Sequence, residues 1–283
     1  MALDPAWSLG RAKYGERLEY DHAVAGHPHE TLHPLEAARL LRARWLAGET
    51  TFGGWIYLRD SFGAEIVARA GVDWVCVDTQ HGMARGEDVA RLLQAVALAG
   101  PVGLVRVPWN DPGVIMNTLD SGAAGVFVPL VSNAVEAEEA AAACRYPPRG
   151  IRSWGPARAA LGAPEYSPEW ANDRVLCLVM VETEEGVENI EEILAVPGID
   201  AIYIGPSDLA LSYDVPRADP ANAQRVAGLR AACKARDVPV GVAAITVDEA
   251  RSHAGDGFAL VALPSDAALL TRACAEFLED VRA

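Results

Sequence analysis

The stretch VLCLVMVETEEGVENIEEILAVPGIDAIYIGPSD (175–208) decides the fold. It opens with seven apolar residues in a row, and AIYI (201–204) is a second apolar run. Short runs without alternation belong to strands buried on both faces, as in parallel sheets. Between them, 185–195 carries its apolar residues at helical spacing. The segment is therefore a strand–helix–strand unit. Glu182 stands one step past the first strand and Asp208 lies in the turn after the second. Parallel neighbours run roughly 4.8 Å apart, so both carboxylates can hold one ion.

The same rhythm runs through most of the chain. Strands are expected at 54–58, 74–78, 103–107, 125–128, 175–181, 201–204, 240–244 and 259–263. Helices are expected at 62–70, 87–98, 112–121, 133–143, 185–195, 220–236, 247–254 and 266–282. Asp111-Pro112 and Asp219-Pro220 mark two helix starts, a cap residue followed by a first-turn proline. Eight strands alternating with eight helices predict an α/β fold, a (β/α)8 TIM barrel over 51–283. A doubly wound open sheet is the alternative, but no GxGxxG or GxxxxGK[ST] loop is present. Residues 1–50 read as an N-terminal arm ending in a capping helix, PLEAARLLRARWLAGE. The arm's HPHETLH (27–33, with His27, His29 and His33) reads as a solvated surface rather than a metal site. The insert 147–172, with RGIRSWGPARAALG, is expected as an ordered loop near the pocket mouth or at a subunit contact.

Composition narrows the function. The 283 residues suffice for one large domain. A net charge of -15 repels phosphate backbones and anionic headgroups, so neither nucleic acid nor membrane is an expected partner. No apolar stretch approaches the roughly 20 residues of a membrane span, and the N-terminus has charge where a signal peptide needs an apolar core. A cytoplasmic location is expected. The five cysteines are dispersed, which predicts thiols rather than a disulfide framework. The two lysines, Lys13 and Lys234, lie away from strand ends, which argues against imine chemistry.

Polar residues gather where strands end. Asp78 and His81 follow the second strand, Arg106 ends the third, Glu182 ends the fifth, and Gly205 to Asp208 follow the sixth. In a barrel all of these face one pocket. Glu182 and Asp208 are hard oxygen donors suited to Mg²⁺ or Mn²⁺. Arg106 suits a carboxylate or an enolate. Gly205 and Ser207 offer backbone N–H groups to a small anion. His81 can shuttle a proton near neutral pH. Trp109 and Trp154 flank polar loops, where they wall the pocket or simply pack.

These residues lie in VDTQHG (77–82), VRVPWNDP (105–112), FVPLVSNAVEAEEA (127–140), ACRYPPRGIRS (143–153), MVETEEGVENIEEIL (180–194) and YIGPSDLALS (203–212). In this order the motifs resemble the HpcH/HpaI family of metal-dependent pyruvate aldolases, over roughly 50–280. The resemblance implies a barrel assembled as a homo-oligomer, a hexamer built as a trimer of dimers. It implies Glu182 and Asp208 as ligands of a divalent ion, Mg²⁺, Mn²⁺ or Co²⁺, and Arg106 as the enolate-stabilising cation. His81 would be the catalytic histidine, with Asp78 hydrogen-bonded to water on the ion. Asp120, in NTLDSG, would assist the histidine of a neighbouring subunit. Gly205 and Ser207 would hold the substrate carboxylate. Many members carry Gly-Glu where this chain has Thr79-Gln80. The glutamine, with SWGPAR after GIR, is closer to members that use hydroxypyruvate.

The expected function is a class II aldolase, an aldehyde-lyase joining or cleaving a 2-oxo acid donor, pyruvate or hydroxypyruvate, and an aldehyde. The alternatives are a citrate lyase β-like acyl-CoA lyase, oxaloacetate decarboxylation as a side activity, and an inactive barrel scaffold.

Overall fold

The computed structural model describes residues 32–283. Eight strands form the sheet: β1 (Thr51–Ile56), β2 (Trp74–Asp78), β3 (Val102–Arg106), β4 (Gly125–Val128), β5 (Leu176–Val181), β6 (Ala201–Ile204), β7 (Val240–Ala243) and β8 (Leu260–Ser265). All neighbours are parallel and β8 pairs back onto β1, so the sheet closes in sequence order. This is the (β/α)8 barrel expected from the rhythm of the chain, and closure rules out the open sheet.

Helix α1 (Pro34–Leu46) precedes the barrel. Around it run α2 (Ser61–Arg69), α3 (Glu87–Ala99), α4 (Pro112–Asp120), α5 (Ala134–Cys144), α6 (Pro168–Asn172), α7 (Glu184–Glu188), α8 (Ile190–Leu194), α9 (Pro206–Ser212), α10 (Pro220–Ala235), α11 (Val247–Asp256) and α12 (Asp266–Arg282). Asp111 and Asp219 cap α4 and α10 as expected, accepting from Val114 and Ala221 N–H groups, each with proline in the first turn. Three details differ from the sequence reading. The helix expected at 185–195 divides at Asn189, whose amide reaches the Ser132 carbonyl (3.0 Å) instead of pointing to solvent. The short helices α6 and α9 were not foreseen. β1 begins three residues early, and β8 runs two residues past its expected end.

The barrel interior is filled by aromatic rings. Trp55, Phe127 and Tyr203 pack with centroids 5.1–5.7 Å apart, and Trp74 lies 5.8 Å from Phe127. Gly53 makes room: a Cβ there would sit 2.3 Å from the Trp74 ring. Such a plug makes the barrel a packed core with a pocket on top rather than a pore.

The amino end of the strands is closed. Helix α1 buries Leu35, Ala38, Leu41 and Trp45. Trp45 and Trp74 both donate to the Thr51 hydroxyl, at 2.9 and 3.1 Å. Arg42 pairs with Asp200 (2.8 Å), just before β6, and Arg44 with Asp73 (2.7 Å), just before β2. Asp200 also accepts from buried Arg145 (2.9 Å) and from the Cys177 N–H (2.8 Å).

The insert at 147–172 lies at this same amino end, not at the pocket mouth. It joins the end of α5 to the start of β5, and helix-to-strand connections in a barrel fall on that side. Its contacts agree. The Ala159 carbonyl accepts from His33 (3.0 Å), and Arg158 reaches the Ser121 carbonyl (3.0 Å). Trp154 packs against Tyr146 and Tyr166. His33 is likewise no solvated residue. It is half-buried, caps α1 through Leu35 N–H (3.2 Å) and packs edge-on against Trp170. His27 and His29 fall outside the described residues, as does most of the expected arm.

Helix α12 contrasts with the others. Only its first residue, Asp266, is buried, and Leu270, Leu278 and Val281 are exposed. Asp266 ties it to β1's end, accepting from the Tyr57 (2.8 Å) and Leu58 (3.2 Å) N–H groups. All five cysteines are free thiols. No helix among the described residues is long and apolar enough to cross a membrane.

Candidate active site

Register builds the site. Asp78 and Arg106 are direct partners across β2 and β3, and Val181 faces Ile204 across β5 and β6. The last residues of β2 and β3 therefore meet, and Glu182 emerges beside Gly205. A cavity of about 570 Å³ opens there. Its lining includes His81, Arg106, Glu182, Gly205, Ser207 and Asp208. The site residues named from sequence thus converge, with two exceptions.

Asp78 is fully buried and is not part of the cavity lining. Its Oδ1 accepts from the Gln80 N–H (2.9 Å), the His81 N–H (3.1 Å) and Arg106 Nε (3.1 Å). Its Oδ2 accepts from Trp55 Nε1 (3.0 Å) and Arg106 Nη2. Five donors saturate a carboxylate. Burial pushes the Asp78 carboxyl up, but the Arg106 hydrogen bonds and charge outweigh burial and hold it below its ordinary value. Arg106 is correspondingly raised despite its burial. Its guanidinium lies 5.2 Å from the Trp55 ring centroid. Asp78 thus fixes both Arg106 and the start of the His81 loop.

Asp120 is the second exception. It ends α4, away from the cavity, and pairs with buried Arg152 (2.7 Å), which stacks on Tyr146. The expectation had placed it at a neighbouring subunit's histidine, and within its own chain it touches no cavity residue. Trp109 is exposed, and neither it nor Trp154 lines the cavity.

Glu182 is 2 % exposed. Its Oε1 accepts from the Leu130 N–H (3.0 Å), and its Oε2 is buried without a partner among the described residues. Burial first, then the nearby Asp208 charge, pushes its carboxyl up to about 7. Two backbone features fix the position of its side chain. Leu130 adopts a left-handed φ of 57°, unusual for a branched residue and the kind of strain that functional sites store. At Gly205 a Cβ would stand 2.2 Å from Glu182 Oε2, so only glycine lets β6 pass so closely. An orphaned buried carboxylate oxygen is costly unless something cationic meets it.

The donor chemistry fits a hard divalent ion. Glu182 supplies a buried anionic oxygen and Asp208 a half-exposed one. Among the described residues no three His, Cys, Asp or Glu side chains form a metal cluster. Magnesium-like ions are bound by one or two carboxylates, with water and substrate completing the shell.

His81 is exposed at the cavity, and nothing among the described residues hydrogen-bonds its ring. Sequence reasoning missed Trp55, Tyr57, Leu130 and Arg272. Trp55 and Tyr57 sit in GGWIYL, where alternation at a strand end was the available signal. Nothing in the sequence announces a left-handed leucine.

The sequence pattern of the HpcH/HpaI aldolase/citrate lyase family matches residues 52–273. A hydroxypyruvate/pyruvate aldolase from Rhizorhabdus wittichii is 37 % identical over 86 % of this chain and 98 % of its own length. A 4-hydroxy-2-oxo-heptane-1,7-dioate aldolase from Salmonella arizonae is 39 % identical over 80 % of this chain and 88 % of its own. The crystal structure of a family protein from Burkholderia cenocepacia superposes with a TM-score of 0.81. It is 33 % identical and covers 87 % of this chain and all of that one. The register, the glycine-guarded carboxylate and these matches agree: the chain belongs to the HpcH/HpaI aldolase/citrate lyase family.

Proposed function

We propose that this protein is a carbon–carbon lyase, a divalent-metal-dependent aldolase that reversibly joins a 2-oxo acid to an aldehyde. The observation that carries the reading is the partnerless Glu182 Oε2, buried beside Asp208 in the cavity that Arg106 also lines. Glu182 and Asp208 would hold Mg²⁺, Mn²⁺ or Co²⁺. Once bound, such an ion supplies Lewis-acid polarisation of the donor's keto group.

The chain's own groups do the rest. Arg106, locked by Asp78 and Trp55, presents a fixed cation where negative charge grows on the keto oxygen of the donor. Backbone N–H groups at Gly205 and Ser207 take the donor carboxylate. The unhindered His81 ring moves a proton to or from the aldehyde oxygen. The relatives' names point to pyruvate or hydroxypyruvate as donor, and Gln80 beside His81 favours hydroxypyruvate.

The acyl-CoA alternative is poorly supported, because the cavity lining has no lysine and only Arg106 and Arg272 as arginines. A homo-oligomer belongs to the same reading. A second copy would cover the exposed apolar residues of α12, and Asp120, away from its own chain's cavity, would serve that copy's site.

The test is exchange of pyruvate and hydroxypyruvate C3 protons with deuterated solvent, followed by NMR. Exchange should require a divalent ion and stop on chelation. Undiminished exchange in chelator-stripped protein refutes the metal, and no exchange under any ion refutes the aldolase.

A further inference from the structure

The two carboxylates proposed to hold the ion are supported differently. Glu182 is buried at the end of β5 and fixed through the Leu130 N–H. Asp208 sits in the first turn of α9, a helix of seven residues whose N-cap, Gly205, has no side chain to cap it. A helix that short has little order of its own in water, so the place of Asp208 depends on what holds that turn from outside. Among the described residues one side chain hydrogen-bonds it. Asn222 of α10 donates from Nδ2 to the Pro206 carbonyl (3.0 Å), two residues before Asp208.

The same nitrogen reaches the Arg217 carbonyl (3.1 Å), in the connection from α9 to α10. Arg217 in turn forms a two-bond pair with Glu249 of α11, at 2.8 and 3.1 Å. One amide thus gathers the first turn of α9, its return loop and, through Arg217, the next helix.

The needs of α10 do not explain this asparagine. Asp219 already caps the helix, and Pro220 fills its first turn. Asn222 is 2 % exposed, and its Oδ1 is buried without a partner among the described residues. That desolvated oxygen costs stability, a cost that an apolar side chain of similar size avoids. What the amide alone supplies is the N–H aimed at Pro206. Asn172, equally buried in the insert at the amino end, is the contrast. Its Oδ1 accepts from the Tyr146 N–H (2.7 Å) and its Nδ2 donates to the Tyr146 carbonyl (3.0 Å), so both its ends are used.

We infer that Asn222 is a positioning residue that holds the first turn of α9 so that the Asp208 carboxylate stays in place for the ion. The inference rests on the metal-dependent reading and adds to it a residue that does not line the cavity. The experiment measures Mn²⁺ binding to the metal-free full chain, without substrate, from the EPR signal of the free ion. Urea unfolding of each variant reads stability separately. Asn222→Leu should weaken Mn²⁺ binding by about tenfold or more, with kcat recovering once Mn²⁺ saturates. Asn222→Gln, which keeps the amide, should restore part of the affinity. Asn172→Leu should lower stability and leave Mn²⁺ affinity as in the wild type. Where leucine prevents folding, serine takes its place at either position with the same expectation. Unchanged Mn²⁺ affinity in the folded Asn222 variant, or an equal loss in the Asn172 variant, overturns this inference alone. No Mn²⁺ binding by the wild type overturns the metal reading with it.

Discussion

At the carboxyl end of the strands Arg106 is buried against Asp78; at the amino end Arg145 is buried against Asp200. Both are arginine–aspartate pairs in a protein interior, yet their surroundings differ. Asp200 receives Arg145, Arg42 and a backbone N–H, under the cover of α1. Neither Arg145 nor Asp200 lines the cavity that Arg106 lines. Asp78 also takes every donor it can, but the arginine it anchors lines a cavity beside a carboxylate oxygen that has no partner. A buried ion pair by itself is thus uninformative about function. Unmet polar atoms do not separate the two ends either, since Arg145 Nε and Nη1 also lack partners among the described residues; the cavity that Arg106 lines beside Glu182 does.

The sharpest way to break this comparison is to remove each arginine. Arg106→Ala should lower kcat/KM by roughly 1,000-fold, as loss of a preorganised charge-stabilising donor does, measured by pyruvate release from an aldol substrate. Arg145→Met should instead cost about 3–5 kcal/mol of stability by stranding a buried carboxylate, read from urea unfolding. Its folded fraction should retain turnover close to that of the wild type. Interchanged outcomes would dissolve the distinction between the two ends.

A finer probe acts on the orphaned oxygen. Gly205→Ala brings a Cβ against Glu182 Oε2 without asking the backbone for a forbidden φ. Activation by Mn²⁺ should need roughly 10- to 100-fold more ion, as when groups that orient a metal ligand are altered. Stability of the metal-free protein should change far less. Titrating activity against free Mn²⁺ decides it.

The smallest expected effect is at the closed end and depends on pH. His33 accepts from the Leu35 N–H through Nδ1 and reaches the Ala159 carbonyl through Nε2, which requires the neutral ring. Burial holds its pKa below the ordinary 6.5. The unfolded chain therefore takes up the proton first as pH falls. The contribution is present at neutral pH and is lost as pH drops from 6.5 towards the folded value. His33→Asn keeps a capping side chain and should flatten this part of the stability–pH curve, read from urea unfolding at a series of pH values. A slope unchanged by the substitution would clear His33 of the role.

Much of the barrel was legible because its strands are unbroken apolar runs and two of its helices, α4 and α10, start at Asp-Pro pairs. The convergence of His81, Arg106, Glu182 and Asp208 followed from topology alone, since strand ends in a barrel share one face. What escaped depends on distances that no pattern encodes. Asp78 was read with the groups that face the pocket, but it is fully buried and absent from the cavity lining. Asn189 looked like a helix interior residue, yet a carbonyl from another loop ends the helix there. The insert at 147–172 was expected near the pocket mouth or at a subunit contact, and its attachment to the end of α5 puts it at the amino end instead.

Helix α12 has a last consequence. Helix α12 draws part of its order from its own barrel, where Asp266 is buried and Ala267 and Leu269 are half-buried, while Leu270, Leu278 and Val281 stay exposed. Whatever lies against that outer side would add to its order. If that is a second copy, melting becomes a function of dilution: helicity at the carboxyl terminus fades first as the solution thins, while the eight-stranded core holds.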